Sequence, residues 1–264
     1  MRKSVYKKKS RFAKWTKQEK IVLTIITVLF TIYAFTLMYP FFFTFANSLR
    51  IPMEMDEISY FLPKVYHWEN YKTAINLTYN NISLFSMFIN SIWQTILATV
   101  LGMIASSMMA YVTAKYNFKF LKILYAVGIF SMVIPVVGST PAMYKLLSDW
   151  NIRNNPLLIG VIWFNGFGFS FLVLYSFFKS VSWNYAKAAF IDGASHFKTF
   201  IKVMLPQAMP AVWSMLIISA IGFWNDYMTV LLYLPKFPNV ALGLYELKKV
   251  YYQIIDGPLS GMNE

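Results

Sequence analysis

The sequence predicts an all-α integral membrane protein with five transmembrane spans. Three observations carry that prediction. Hydrophobic residues make up 58% of the chain and charged residues only 13%, whereas a soluble domain carries about a quarter charged residues. Several apolar runs reach the roughly 20 residues that a helix needs to cross the hydrocarbon core. The chain also lacks the short alternating strands of an outer-membrane barrel, so the spans are expected to be helices that satisfy their own backbone groups.

The elements follow in order. Nine of the Lys and Arg residues fall within the first twenty positions, and the whole chain carries a formal charge of +13. Residues 1–20 therefore read as a basic cytoplasmic segment that orients the first span; a basic arm for nucleic acid or anionic lipid is the alternative. Span one is expected over 21–46, with Pro40 near its outer end. It is too long for a signal-peptide core and no small-residue cleavage site follows it, so it is retained. Residues 47–83 are polar, with Glu54, Asp56, Glu57 and Glu69 against three basic residues, which suits an external loop. Span two, 84–113, carries Gly102, Ser106 and Ala110 at i, i+4, i+8, a flat stripe for close helix packing.

A basic turn follows at Lys115, Lys119 and Lys122. Span three, 123–144, holds Pro135, Gly138 and Pro141, so its outer half is expected to be kinked or broken. An external turn, "SDWNIRNNP", leads to span four over 157–178, which contains Gly160, Asn165, Gly166 and Gly168. Span five is expected over 211–234. Basic residues then place the N-terminus, the 115–122 turn and the 179–205 segment on one side, inside.

The stretch "KAAFIDGASHFKTFIKVMLP", Lys187 to Pro206, is too long for a turn and too polar for a span. A helix can run to Asp192 and stop at Gly193 in a left-handed conformation. Ser195 can cap a second helix, whose Phe197, Phe200, Ile201 and Met204 recur at i, i+3, i+4, i+7 and whose end is expected at Pro206. The segment could lie on lipid as an interfacial helix. The small residues Ala188, Ala189 and Ala194 anchor poorly in lipid and favour close approach by another protein.

These residues resemble the EAA loop of binding-protein-dependent ABC importer permeases: Ala188, Ala189, Asp192, Gly193, Ala194, Leu205 and Pro206 match that pattern in register, while Lys187 stands where the family usually has Glu. "FINSIWQTILATVLGMIASSMMAYVTAKYNFKF" and "FWNDYMTVLLYL" resemble segments of the carbohydrate branch, similar to the smaller membrane subunit of the maltose importer. The resemblance implies an ABC importer type I transmembrane domain over 21–264, with 183–206 as a coupling loop that docks, Phe197 included, on an ATPase subunit. It implies as partners a second permease subunit in a heterodimer, two copies of the ATP-binding subunit and an extracytoplasmic solute-binding protein. It places the chain in a bacterial plasma membrane, with no nucleic acid. The family usually has six spans here against the five counted. A sixth is then expected to begin just beyond Glu264.

Chemistry of its own is not expected. No Gly-rich loop ends in Gly-Lys-Ser/Thr, so phosphates cannot be cradled in the P-loop manner. His67 and His196 lack carboxylates at metal-ligand spacing and no cofactor is implied. The chain has no cysteine, which removes disulfides and thiolates. Asp226 is the carboxylate expected inside a span, a costly placement that marks a functional candidate. Trp224, Asn225 and Tyr227 beside it offer an aromatic face and hydrogen-bonding groups suited to a sugar. An inter-subunit hydrogen-bond lock or a hydrated outer position are the competing readings. A permease for a non-sugar solute and a secondary transporter are the alternatives to a carbohydrate importer; the latter needs internal repeats and midplane coupling carboxylates. Finally, "KFPNVALGLYELKKVYYQIIDGPLSGMNE" carries too many charges to cross lipid unaided. It is expected to form an external helix over 242–255 above the substrate entrance.

Overall fold

The computed structural model describes residues 16–51, 62–63, 65–133 and 138–256. The basic residues before Thr16, the acidic Glu54, Asp56 and Glu57, Pro135 and the residues after Asp256 lie outside these. The chain divides into two compact units, residues 1–74 and 75–264.

In the first unit, helix α1 (Lys17–Ser48) starts at a capping box: the Thr16 hydroxyl accepts from Glu19 N at 3.3 Å, and Glu19 Oε2 accepts from Thr16 N at 2.7 Å. Thirty-two residues at 1.5 Å per residue extend about 48 Å, more than the roughly 30 Å of a hydrocarbon core. Its apolar side chains stand outward, Phe41 at 77% exposure among them, as a lipid-facing helix requires. After α1 the chain is stapled by Asn70, whose Nδ2 donates to the carbonyls of Ser48 and Arg50 at 2.9 and 2.8 Å. Asn70 belongs to the short helix α2 (Glu69–Ile75).

The second unit opens with a small hairpin, β1 (Thr78–Tyr79) and β2 (Ile82–Ser83), paired antiparallel. Its turn residues Asn80 and Asn81 both take positive φ, the backbone that a two-residue hairpin favours. Ser83 then caps α3 (Leu84–Lys115) by accepting from Ser86 N. This 32-residue helix is the post on which the unit is built. The small-residue stripe does what its spacing implies. A Cβ on Gly102 would stand 3.4 Å from the Trp163 carbonyl, Ser106 Oγ donates to the Asn165 carbonyl at 3.4 Å, and Ala110 is fully buried.

Three expected spans are not single helices. Span three is α4 (Lys119–Val133) and α5 (Ser139–Asp149), the latter entered through Gly138 at φ +93. Pro141 falls in the first turn of α5, where its missing N–H costs no intrahelical bond. Span four is only one turn, α6 (Gly160–Trp163), then irregular chain, then α7 (Phe169–Ser180). The break follows from its residues: Asn165 Oδ1 accepts from Phe167 N at 3.1 Å and Gly168 sits at φ +145. Such a break survives at membrane depth when its carbonyls are met by protein, and Ser106 meets one. Span five ends early: α10 (Leu205–Trp224) stops and α11 (Tyr227–Tyr233) restarts after Asp226. The last helix, α12 (Val240–Asp256), includes the expected 242–255.

Hydrogen bonds define two ends of α3. At its start, Asn90 Nδ2 and Gln94 Nε2 donate to the carbonyls of Pro238 and Phe237, and Ser91 Oγ accepts from Val240 N. The 153–154 turn joins the same end through Asn154 N to Tyr233 O and Arg153 Nε to Leu232 O. At its finish, Lys115 Nζ donates to the Val181 carbonyl and Tyr116 OH bonds His196. Each end has its own core. Leu147, Ile159, Trp163 and Leu234 pack at the first; Phe171, Phe178, Phe200 and Met204 pack at the second.

Candidate functional site

The polar segment folds into a hairpin of two helices. Its first arm, α8 (Asn184–Ile191), ends at Asp192. Gly193 follows at φ +76, a left-handed position that glycine takes without penalty. The turn is closed by its own amides, with Asp192 N, Gly193 N and Ala194 N donating to the carbonyls of Ala188, Phe190 and Ala189 at 3.1, 3.0 and 2.9 Å. Ser195 caps the second arm, α9 (His196–Thr199), by accepting from Lys198 N at 3.3 Å.

The second arm does not end at Pro206. It continues as a π-helical turn over Phe200–Met204 and then as α10, with Leu205 N bonded to Phe200 O, five residues back. Proline is tolerated here because it occupies the first turn after this wider one. The π turn also splits the expected apolar stripe. Wound as α-helix, Phe197, Phe200, Ile201 and Met204 would share a face; a wider turn advances each residue by a smaller angle. Phe200 and Met204 are buried, while Phe197 is 63% and Ile201 42% exposed.

The hairpin therefore presents a mixed outer surface. Ala188, Asp192 and Gly193 are exposed at or beside the bend, Ala189 and Ala194 half-buried behind it, and Ile191 is 86% exposed. Leu205 is half-buried and Pro206 exposed further along. Ala186 and Thr199 are buried beneath. An apolar groove of about 460 Å³ runs alongside, between Met108, Val112, Phe118 and Phe197.

At the other end of the unit, the four residues of the expected substrate path diverge. Asp226 caps α11, its Oδ1 accepting from Thr229 N at 3.0 Å, and its carbonyl accepts from Asn239 Nδ2 at 3.1 Å. Asn225 Nδ2 turns back to Ile221 O. Tyr227 stacks on Tyr245 at 4.4 Å, and Trp224 faces Phe88 at 6.4 Å. Asp226 lines a cavity of about 10 Å³ with Gln94, Trp163 and Thr229, room for roughly one water and not for a sugar ring. Sequence reasoning missed Asn239, 1% exposed, whose side chain joins Asp226 to Leu242 N. The signal available was a lone Asn after Pro238, ahead of an apolar run, the pattern of a helix cap.

Residues 102–244 match the family described as "Binding-protein-dependent transport system inner membrane component". The chain is 28% identical over 190 residues to the diacetylchitobiose uptake system permease protein of Streptomyces coelicolor, covering 72% of this chain and 62% of that one. It is 25% identical over 248 residues to the arabinooligosaccharides transport system permease protein of Bacillus subtilis, covering 89% and 84%. Among solved structures, a bacterial ABC transporter involved in import of the acidic polysaccharide alginate superposes with a TM-score of 0.69 at 23% identity, over 88% of this chain and 80% of that one.

Proposed function

Because the chain belongs to the binding-protein-dependent transport system inner membrane components, we propose that it is a permease subunit of an ATP-driven importer for a carbohydrate, with an oligosaccharide as the cargo. The carbohydrate assignment is supported by the cargoes for which the relatives are named: diacetylchitobiose and arabinooligosaccharides. The translocation path forms with a second permease subunit, and hydrolysis belongs to two copies of an ATP-binding subunit. A solute-binding protein delivers cargo from outside.

One observation supports this reading above the rest. The hairpin around Gly193 holds its own bend by backbone bonds and turns Ile191 and Phe197 outward, a shape suited to insertion into a groove of another protein. In the proposed topology the N-terminus and this hairpin lie in the cytoplasm. The pairing of residues 115–116 with 181 and 196 at one end of α3, and of 90–94 with 237–240 at the other, supports alternating crossings. The spans are α1, α3, α4 with α5, α6 with α7, and α10 with α11, and α12 lies outside, above the entrance. Co-purification from membranes tests the assignment: a P-loop ATPase should accompany the chain, and ATP-driven uptake of an oligosaccharide should be lost without it. An ion-gradient-driven flux by the chain alone would replace the importer by a secondary transporter.

A further inference from the structure

If the hairpin receives force from an ATPase, that force must leave it through whatever grips both arms. The bend itself is bonded only within the hairpin among the contacts described above. The second arm passes directly into α10. The first arm is held from the side by the end of α3, and the same end reaches across to the second. Lys115 Nζ donates to the carbonyl of Val181, the residue that ends α7 just before α8. The ring of Tyr116 packs edge-on against Trp183 at 5.6 Å, immediately ahead of α8. Its hydroxyl lies 2.8 Å from Nδ1 of His196, the first residue of α9. The His196 ring in turn lies 4.8 Å from Phe190 near the end of α8. Tyr116 thus touches the first arm at its start and the second arm just past the bend.

We infer that Tyr116 and His196 are positioning residues for energy coupling, a clamp that makes α3 move with the hairpin rather than slide past it. This rests on the permease reading above. The chemistry suits the task. A phenol hydroxyl can donate to or accept from an imidazole nitrogen, according to the tautomer. The clamp is also separable from the hairpin's own surface: Tyr116 lies at the end of α3, so removing its hydroxyl leaves every hairpin side chain in place. Because α3 carries at its far end the bonds to the 237–240 segment, a clamp at one end delivers motion to the other.

The test uses the assembled importer, with its own ATPase, partner permease and binding protein, in proteoliposomes. Tyr116→Phe keeps the ring against Trp183 and removes only the hydroxyl. Cargo moved per ATP hydrolysed should fall roughly two- to tenfold, the range for one hydrogen bond, at unchanged complex yield. His196→Leu should do the same, the double variant should be no worse than either single one, and His196→Asn, which keeps a polar atom near the position of Nδ1, should restore the ratio. An unchanged ratio in Tyr116→Phe, a double variant that multiplies the losses, or a loss of complex yield in step with transport would each overturn the clamp. Absence of ATP-driven uptake in the wild-type assembly would instead overturn the permease reading. Hydrogen exchange on the full chain in detergent decides the clamp without transport. Amides of residues 196–200 should exchange several-fold faster in Tyr116→Phe, and equal rates would refute it.

Discussion

The bend of the hairpin gives the sharpest test of the coupling role, because backbone and bulk can be separated there. Gly193 sits at φ +76 with no heavy atom within 4 Å of where a Cβ would stand. Gly193→Ala therefore meets open space and pays only for its left-handed backbone, about 1–2 kcal/mol. Gly193→Asn should pay less, since Asn visits that region more readily. Gly193→Pro cannot adopt it at all, because its ring fixes φ near −65°, and it also loses the amide that donates to Phe190 O. If the strained hairpin relaxes when free, the docking-competent population falls by the same energy, about 5- to 30-fold for Ala. Affinity of the purified ATPase subunit for the permease complex in nanodiscs reads this out, with membrane yield as the control for insertion. The expected order is Gly, then Asn, then Ala, with Pro undetectable. A proline variant that binds at wild-type affinity refutes the reasoning. So does Asn weaker than Ala, which would make side-chain size rather than φ the determinant.

Three further outcomes are expected. Gly128→Ala would place a Cβ 2.5 Å from the Phe167 ring, so overpacking should cost about 1–3 kcal/mol, visible as a lower Tm in detergent beside an unshifted Gly222→Ala control that meets nothing within 4 Å; equal melting of the two would show that the ring moves freely. Asp226→Asn keeps an acceptor for Thr229 N and should leave cargo KM unchanged, whereas Asp226→Ala should lose about 1 kcal/mol of stability; a raised KM with normal stability in the Asn variant would instead place Asp226 on the substrate path. Because the chain has no cysteine, single Cys probes report topology directly. Leu244→Cys on α12 should react with an impermeant maleimide from outside intact cells and Ile191→Cys only after permeabilisation, and the reverse pattern would invert the proposed orientation.

What the sequence disclosed depended on whether the determinant was local. Span two began at Leu84 as expected because a long apolar run and a serine cap coincide there. Gly193 and Ser195 took their expected roles because a left-handed glycine and a helix cap are decided within four residues. The breaks were less legible. Apolar content over 157–178 and 211–234 says that these segments suit lipid, not whether they stay wound; Asn165, Gly168 and Asn225 interrupt them where α3 and the 237–240 segment supply partners. The bonds from Asn90, Ser91 and Gln94 reach residues more than 140 positions away, and nothing within the span itself names those partners. Nothing in the local composition marks the π turn, which splits a stripe whose spacing read as one face.

That π turn has a consequence for how the chain can tolerate length changes. A wide turn stores one surplus residue in an otherwise regular rod, so the hairpin and α10 keep a fixed mutual phase although the numbering between them is out of step by one. Deleting the exposed Lys202 should let the rod rewind as plain α-helix, with Phe197 still pointing outward and Met204 inward. Inserting a residue there instead has no second wide turn to absorb it, and would rotate the docking surface by about 100° around the rod axis. A segment that looks indifferent to its own spacing is thus permissive in one direction only.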